Sequence, residues 1–146
     1  MNSNPNHNNI RGLQIFINDI RACTTREAES KRVESELEKI RKKFSSIKAL
    51  SGYDKKKYVW KLLYIYILGY KVDFGFNYAA DLITSIKMTE KMTGYVSLSV
   101  LCKENSQEIS VMINSIRNDL IDKNSLPQSL ALSLATNLNN TELLNK

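Results

Sequence analysis

Apolar residues recur every three or four positions along most of the chain, which is the pattern of amphipathic helices. A first helix is predicted from residue 10 to about residue 23, and a second helix follows a capping box at residues 24–27. The second helix carries one apolar stripe, made of Val33, Leu37, Ile40 and Phe44. Each of these two helices is therefore expected to bury a single face.

The segment at 52–75 differs, because its body is apolar on nearly all sides. A helix is predicted to begin at a capping Asp54, to carry three lysines at 55–57 directly behind this cap, and to end at Gly69. This distribution predicts a helix with a charged, exposed start and a body that is buried on most faces.

Four further helices are predicted in the second half, at about 76–86, from Thr89, from the cap at 106–108, and from Ser125 to about Leu138. The helix after Thr89 is expected to turn these side chains inward: Met92, Tyr95, Val96, Ser99 and Val100. The most regular stripe belongs to the next helix and consists of Ile109, Met112, Ile113, Ile116 and Leu120.

Alternate helices start near Asp54, Thr89 and Ser125, which are 35 to 36 residues apart. This spacing is typical of stacked helical hairpins, as in HEAT and armadillo arrays. We therefore predict an all-α fold, a right-handed α-solenoid over residues 10–146, preceded by a disordered, Asn-rich tail at 1–9. A turn at 139–141 and a helix cut off soon after Glu142 predict a truncated array, because hairpins bury themselves against the next repeat.

The net charge of +6 is distributed unevenly. Residues 1–70 hold 14 Lys or Arg and 7 Asp or Glu, whereas residues 71–146 hold 7 and 8. The longest apolar run, at 58–68, is interrupted by Lys61 and is shorter than the ~20 residues of a membrane span. A localised basic face and, at most, peripheral membrane contact are expected.

Catalytic and metal-binding patterns are missing from the sequence. The single histidine, His7, lies in the polar tail, and no Gly-rich phosphate loop occurs. Asp73-Phe74-Gly75 spells a kinase tripeptide without a catalytic loop before it, so a connecting turn is expected. The two cysteines, Cys23 and Cys102, are expected to be reduced thiols. We expect no enzymatic activity, no cofactor and no metal.

The lysines at 55–57 leave two interpretations open. Cations are disfavoured at the positive start of a helix, so their presence there indicates a site for an anion such as a phosphate group. A solvated lysine cluster is the alternative. The neighbouring Tyr53, Tyr58 and Trp60 raise the possibility of nucleic-acid binding, but Trp60 lies in the apolar body and is expected in the core.

An ordered series of motifs resembles the opening of the alpha-adaptins, the large alpha subunits of the clathrin adaptor complex at the plasma membrane. The series includes Arg11-Gly12-Leu13, Ile40-Arg41-Lys42-Lys43-Phe44, Lys55-Lys56-Lys57-Tyr58-Val59, Asp73-Phe74-Gly75 and Thr89-Glu90-Lys91. The resemblance covers residues 10–142. It implies a non-enzymatic adaptor subunit segment in vesicle-mediated endocytosis, cytoplasmic and peripheral on the cytosolic face of the plasma membrane, in clathrin-coated pits.

The resemblance also implies partners and site residues. The partners are the adaptor small (sigma) subunit, other adaptor subunits, dileucine-type cargo and membranes containing phosphatidylinositol bisphosphate. The residues that match the lipid-binding positions of the family are Arg11, Lys43, Lys55, Lys56, Lys57 and Lys61, and Arg21 matches a cargo-signal position. Ser45 stands where the family usually has a basic residue, which is expected to weaken lipid binding. Family members are several times longer, so the chain is expected to be a fragment or a reduced paralogue.

The alternative hypothesis is a helical-repeat interaction protein whose basic half binds nucleic acid or another acidic partner. The resemblance favours the adaptor, for which no nucleic-acid partner is expected. The two hypotheses differ in ligand selectivity, because binding by diffuse charge weakens with salt in the same way for any polyanion.

Overall fold

The computed structural model describes residues 11–101 and 107–138, which form helices and, within those ranges, no strand. The helices are α1 (Arg11–Ala22), α2 (Arg26–Phe44), α3 (Gly52–Ile67), α4 (Phe76–Ile83), α5 (Met88–Leu101), α6 (Gln107–Leu120) and α7 (Ser125–Leu138). The predicted all-α class is confirmed. The predicted tail at 1–9, the cap residue Ser106, the turn at 139–141 and the segment from Glu142 lie outside the described residues.

The chain divides into two compact units, Met1–Ala49 and Leu50–Lys146. In the first unit, α1 packs against α2. Phe16 and Ile20 are buried on α1, and Val33 and Ile40 are buried on α2. The cap of α2 is Thr25, whose side chain accepts a hydrogen bond from the Ala28 amide, so the predicted box with Glu27 does not form. Ala28 occupies the position where such a box needs Glu or Gln.

Arg32 joins the two helices of the first unit. Its guanidinium donates to Asp19 on α1 at 3.0 Å and to Glu36 on α2 at 2.7 Å, and it lies 4.8 Å from the ring centre of Phe16. Burial opposes the charge of this guanidinium, but the bonds to Glu36 and Asp19 outweigh that effect and raise the pKa of Arg32. The hairpin of α1 and α2 is therefore held together by the charged and aromatic contacts of Arg32 in addition to its buried apolar residues.

The second unit is built in two layers. Helix α5 contacts α3 and α7 in one layer, and α4 contacts α6 in the other. The helices of the first layer begin at residues 52, 88 and 125, which are 36 and 37 residues apart. This arrangement confirms the predicted helical-repeat solenoid. Its core consists of Val59, Ala79, Ala80, Leu82, Ile83, Tyr95, Leu98, Met112, Ile116, Ala131 and Leu134.

The predicted inward face of α5 is correct at Tyr95, half-buried at Val96 and Ser99, and wrong at Met92 and Val100. Met92 and Val100 are exposed, while Thr93, Gly94 and Ser97 are buried. Helix α5 packs against three neighbours, and small residues let their backbones come close. A Cβ atom at Gly94 would lie 2.7 Å from the carbonyl oxygen of Ala79 on α4. The spacing of apolar residues cannot predict such a face, because its key residues are small or polar.

The observed ends of the helices agree better with the predictions from the sequence than the inward face of α5 does. Beyond α3, Gly69 has a φ of 97°, and the amide of Tyr70 bonds the Ile65 carbonyl at 3.3 Å, as in a Schellman motif. The tripeptide at 73–75 lies in the connection between α3 and α4, as predicted, and Gly75 caps α4 with a φ of 89°. Helix α7 spans Ser125–Leu138 as predicted, whereas α4 ends at Ile83, before the expected residue 86.

A buried polar network ties α5 to the ends of α4 and α6. The Lys91 ammonium donates to both Asp119 oxygens, at 2.9 and 2.8 Å, and to the Ile83 carbonyl at 2.7 Å. The Tyr95 hydroxyl donates to the same carboxylate. Burial and the Asp119 carboxylate together raise the pKa of Tyr95. The first turn of α5, the last turn of α6 and the end of α4 therefore lie side by side.

Gly94→Ala is expected to destabilise the second unit by about 1–3 kcal/mol, because the added methyl group would push α4 away from α5. The free energy of unfolding in urea measures the effect. Ser129→Ala on the exposed face of α7 is the matched control, and its expected effect is within about 0.5 kcal/mol. Equal stability of the two variants would contradict the close approach of α4 and α5.

The contribution of Tyr95 to stability is expected to vanish at high pH. Because its native pKa is raised, the unfolded chain loses this proton above pH ~10 while the native chain keeps it, so the free energy of unfolding falls as pH rises. The loss reaches at most about 1.4 kcal/mol per pH unit. Urea unfolding of the wild type and Tyr95→Phe between pH 8 and about 11.5 measures it. A difference that does not shrink with pH would refute this coupling.

Candidate functional site

Three helix ends meet around the lysines of α3. The start of α3, the end of α4 and the start of α5 are joined by an ion pair of Lys55 with Asp81, at 3.2 Å, and by Glu90, which lies against Gly52. We call this region the lysine end, and define it by residues 51–57 and 61 of α3 and its cap, Asp81 of α4 and Glu90 of α5. It contains four of the residues predicted to bind lipid.

Helix α3 begins earlier than the sequence predicted, at Gly52, and its cap is Ser51 rather than Asp54. The Ser51 side chain accepts from the Asp54 amide at 3.1 Å and donates to the Asp54 carboxylate at 3.0 Å. Serine followed three residues later by an acidic side chain is a capping arrangement, which explains the shift. The lysines at 55–57 therefore begin one turn inside the helix, where the dipole opposes them less.

Glu90 supplies a second carboxylate at the start of α3. Its oxygens accept from the Ser85 hydroxyl at 2.7 Å and lie 3.7 Å from the Lys87 ammonium. A Cβ atom at Gly52 would overlap this carboxylate, so the glycine makes room for it. Asp54 and Glu90 thus complement the positive end of the helix within the chain itself.

The predicted exposed lysine cluster is wrong, because these side chains are buried or half-buried. Lys56 and Lys61 are each 8% exposed. Within the described part of the chain, no hydrogen bond or ion pair holds the Lys56 ammonium group. Lysine stems bury easily along apolar neighbours while their ammonium groups reach the edge of the packed region.

Lys57 is held by a carboxylate and two rings. It bonds Asp54 at 2.9 Å, and its ammonium lies 4.7 Å from the ring centre of Tyr58 and 5.7 Å from that of Tyr53. Burial disfavours the charge, but the hydrogen bonds and electrostatic attraction of Asp54 and Tyr58 together outweigh it and raise the pKa of Lys57. Lys55 and Lys57 therefore each have an internal counter-anion, so an external anion has to compete with a carboxylate.

The remaining predicted site residues belong to the first unit. Arg11 is the first residue of α1 and is exposed, Arg21 is exposed in its last turn, and Lys43 is exposed in the last turn of α2. Ser45 caps the end of α2, and its hydroxyl donates to the Arg41 carbonyl at 2.9 Å. The lipid-binding residues implied by the resemblance are thus divided, four on α3 and two in the first unit.

Trp60, predicted in the core, is half-buried. Its ring nitrogen donates to the Thr93 hydroxyl at 3.1 Å, which joins α3 to α5. Tyr53, in the first turn of α3, is 50% exposed.

Sequence reasoning found Asp54 but missed the other two carboxylates of this site, Asp81 and Glu90. Ser51 and Asp54 were readable as a capping pair, because their spacing is local. Asp81 and Glu90 are distant in the sequence from the lysines they approach, and no local pattern indicates such pairs. Among the described residues, no group of His, Cys, Asp or Glu is arranged to hold a metal ion. None of the helices searched is long and apolar enough to cross a bilayer.

Comparison with known proteins agrees with the motif series. Residues 29–146 match the family described as Adaptin N terminal region. The chain is 49% identical over 129 residues to AP-2 complex subunit alpha-1 of Arabidopsis thaliana, which covers 88% of this chain and 13% of that protein. AP-2 complex subunit alpha of Schizosaccharomyces pombe is 48% identical over 136 residues, covering 93% and 15%.

A third relative, AP-2 complex subunit alpha-2 of Dictyostelium discoideum, is 41% identical over 143 residues, covering 97% of this chain and 14% of that protein. The chain spans 13–15% of the length of these relatives. The predicted resemblance to alpha-adaptins is confirmed. Since the family match covers more than half of its residues, the chain belongs to the adaptin family, within its N-terminal region.

Proposed function

We propose that the chain acts as a non-enzymatic segment of a clathrin adaptor subunit in endocytosis, and that its lysine end binds the headgroup of phosphatidylinositol bisphosphate. One observation carries the proposal: α3 carries four lysines, three of them close to its start, and Lys55 and Lys57 are balanced by the carboxylates Asp81 and Asp54. The similarity to AP-2 alpha subunits supports the adaptor role.

Phosphate groups are well suited to replace these carboxylates. A phosphate carries more charge than a carboxylate and offers three acceptor oxygens, so it forms stronger charge-assisted bonds with ammonium groups. When the headgroup binds, Lys55 and Lys57 exchange a carboxylate for a phosphate. The Lys56 ammonium has no partner to give up among the described residues. The headgroup thereby gains a contact that the free chain leaves unmade.

The expected affinity is low. A lysine near an anionic membrane contributes about 1 kcal/mol, so the four lysines of α3 give about 4 kcal/mol, which corresponds to a dissociation constant of roughly 1 mM. A site this weak becomes effective when several sites on one assembly engage together. The lysine end therefore suits an adaptor that binds the membrane firmly only when it engages lipid and cargo together.

The proposal extends to the first unit and to partners. Arg11 and Lys43 are further residues that bind phosphatidylinositol bisphosphate, and Arg21 receives dileucine-type cargo signals. The chain docks the adaptor small (sigma) subunit and other adaptor subunits in the cytoplasm, peripherally on the cytosolic face of the plasma membrane at clathrin-coated pits. A nucleic-acid-binding role is less well supported, because Trp60 is engaged with Thr93.

Replacing Lys55, Lys56 and Lys57 together by Gln is expected to weaken binding to phosphatidylinositol bisphosphate vesicles by about 100-fold, since three lysine contributions are lost. Co-sedimentation of the full chain at near-physiological salt measures it, with phosphatidylserine vesicles of equal surface charge for comparison. The matched control replaces three exposed α2 residues of equal charge by Gln, namely Arg26, Lys31 and Lys39. Equal binding of the wild type to both lipids would refute headgroup recognition.

Asp81→Asn is expected to tighten binding to the same vesicles by up to about fivefold, because the headgroup then has no carboxylate to displace from Lys55 and one negative charge that repels the membrane, comparable with one lysine contribution of ~1 kcal/mol, is removed. Asp73→Asn is the control of equal charge, since Asp73 lies in the connection at the opposite end of α3. Unchanged or weaker binding of Asp81→Asn would mean that the headgroup does not compete for Lys55.

A further inference from the structure

Two isoleucines stand almost free of protein contact in the turns of the second unit. Ile86, in the connection at 84–87, is 98% exposed, and Ile121, directly after α6, is 81% exposed. Single exposed apolar residues are common on soluble proteins and need no explanation by themselves. The position of these two is informative, because the structure places them along the edge that carries the lysines.

The Lys91 network fixes both turns at this edge. Lys91, in the first turn of α5, bonds the Ile83 carbonyl at the end of α4 and Asp119 at the end of α6. The connection after α4 and the turn after α6 are therefore neighbours. The Lys55–Asp81 pair brings the start of α3 to the same side. We call this region the turn edge, defined by the lysine end with residues 84–87 and 121–124.

The connection that carries Ile86 is held in shape by its polar residues. The Thr84 hydroxyl donates to the Asp81 carbonyl at 2.7 Å, the Ser85 hydroxyl donates to Glu90 at 2.7 Å, and the Lys87 amide donates to the Ser85 oxygen at 3.1 Å. These bonds anchor its backbone to α4 and α5. Ile86 is consequently presented outward by an ordered support.

Basic and aromatic side chains lie along the turn edge together with the isoleucines. Lys87 follows Ile86 directly, the exposed Lys123 lies two residues after Ile121, and the half-exposed Tyr53 lies at the start of α3. Apolar tips flanked by lysines and a tyrosine suit the boundary between headgroups and acyl chains, where the apolar part enters and the cation stays with the lipid phosphates. Asp54, Asp81 and Glu90 are each paired with a lysine of this edge, and Asp119 is paired with Lys91 beside it. The carboxylate of Asp122, directly after Ile121, accepts from the Asn124 amide at 2.7 Å.

We propose that Ile86 and Ile121 insert into the lipid bilayer when the turn edge lies on an anionic membrane, so that the membrane is held by apolar wedges as well as by headgroup contacts. This inference rests on the proposed membrane function and adds a second component to it. The apolar component is independent of the headgroup, since burial of an isoleucine depends on area rather than charge.

The double variant Ile86→Ser with Ile121→Ser tests the proposal in the full chain. Co-sedimentation is expected to show about tenfold weaker binding to vesicles with phosphatidylinositol bisphosphate and to vesicles with phosphatidylserine, with the ratio between the two lipids retained. The matched control is Ile67→Ser, because Ile67 is 67% exposed at the far end of α3. Binding of the control is expected to equal that of the wild type.

Insertion is measured directly by fluorescence of Ile86→Trp on vesicles with brominated acyl chains. Quenching above the Trp60 background is expected for Ile86→Trp and not for Ile67→Trp. Unchanged binding of the double variant, absence of this quenching, or an equal loss with Ile67→Ser would overturn the insertion proposal.

The vesicle measurements distinguish a failure of the insertion proposal from a failure of the headgroup proposal. If the wild type prefers the bisphosphate lipid but the isoleucine variants bind normally, insertion is wrong and headgroup recognition stands. If binding depends on Ile86 and Ile121 without preference between lipids, insertion stands and headgroup recognition is wrong. A lower molecular mass of the double variant by light scattering in solution would instead show that these isoleucines join two copies of the chain, which also overturns insertion.

Discussion

The buried pair of Lys91 and Asp119 determines how the second unit is put together. Removing two charges from water is costly, and the cost is offset here because every strong hydrogen-bonding position on the ammonium is used, by two carboxylate oxygens and the Ile83 carbonyl. Such a pair is satisfied in one geometry only. It therefore fixes the register of α4, α5 and α6, and with it the level at which their turns reach the surface.

The lysine end depends on that register. Asp81 meets Lys55, and Glu90 meets the start of α3, because α4 and α5 bring their ends to the same side. A cluster that reads as a row of like charges in the sequence is, in the folded chain, a set of lysines interleaved with carboxylates. Its resting charge is modest, so selectivity for a polyvalent phosphate is easier to obtain than it would be for a bare basic patch.

Much of the fold followed from local signals. The Gly69 stop, the helix from Ser125 and the repeat near 36 residues depend on caps, glycine and apolar spacing within one or two turns. The inward face of α5 did not follow from local signals, because Gly94, Thr93 and Ser97 are buried on account of their small size. The burial of Lys56 and Lys61 could not be predicted from the sequence either, since the solvent exposure of a long side chain depends on neighbours that are distant in the sequence. Among the candidate site residues, Lys55, Lys56 and Lys57 were indicated by their place at a helix start, the others came from the family resemblance, and the carboxylates Asp81 and Glu90 became apparent only in the fold.

The contact between Gly52 and Glu90 has a consequence for how the sequence can change. The two positions share one volume: a side chain at 52 would occupy the space that the carboxylate at 90 fills. Substitution at either position alone leaves a clash or a void at the start of α3. Among related chains, a residue larger than glycine at the first position is expected to occur together with a shorter side chain at the second. The pair should therefore covary even though 38 positions separate the two residues.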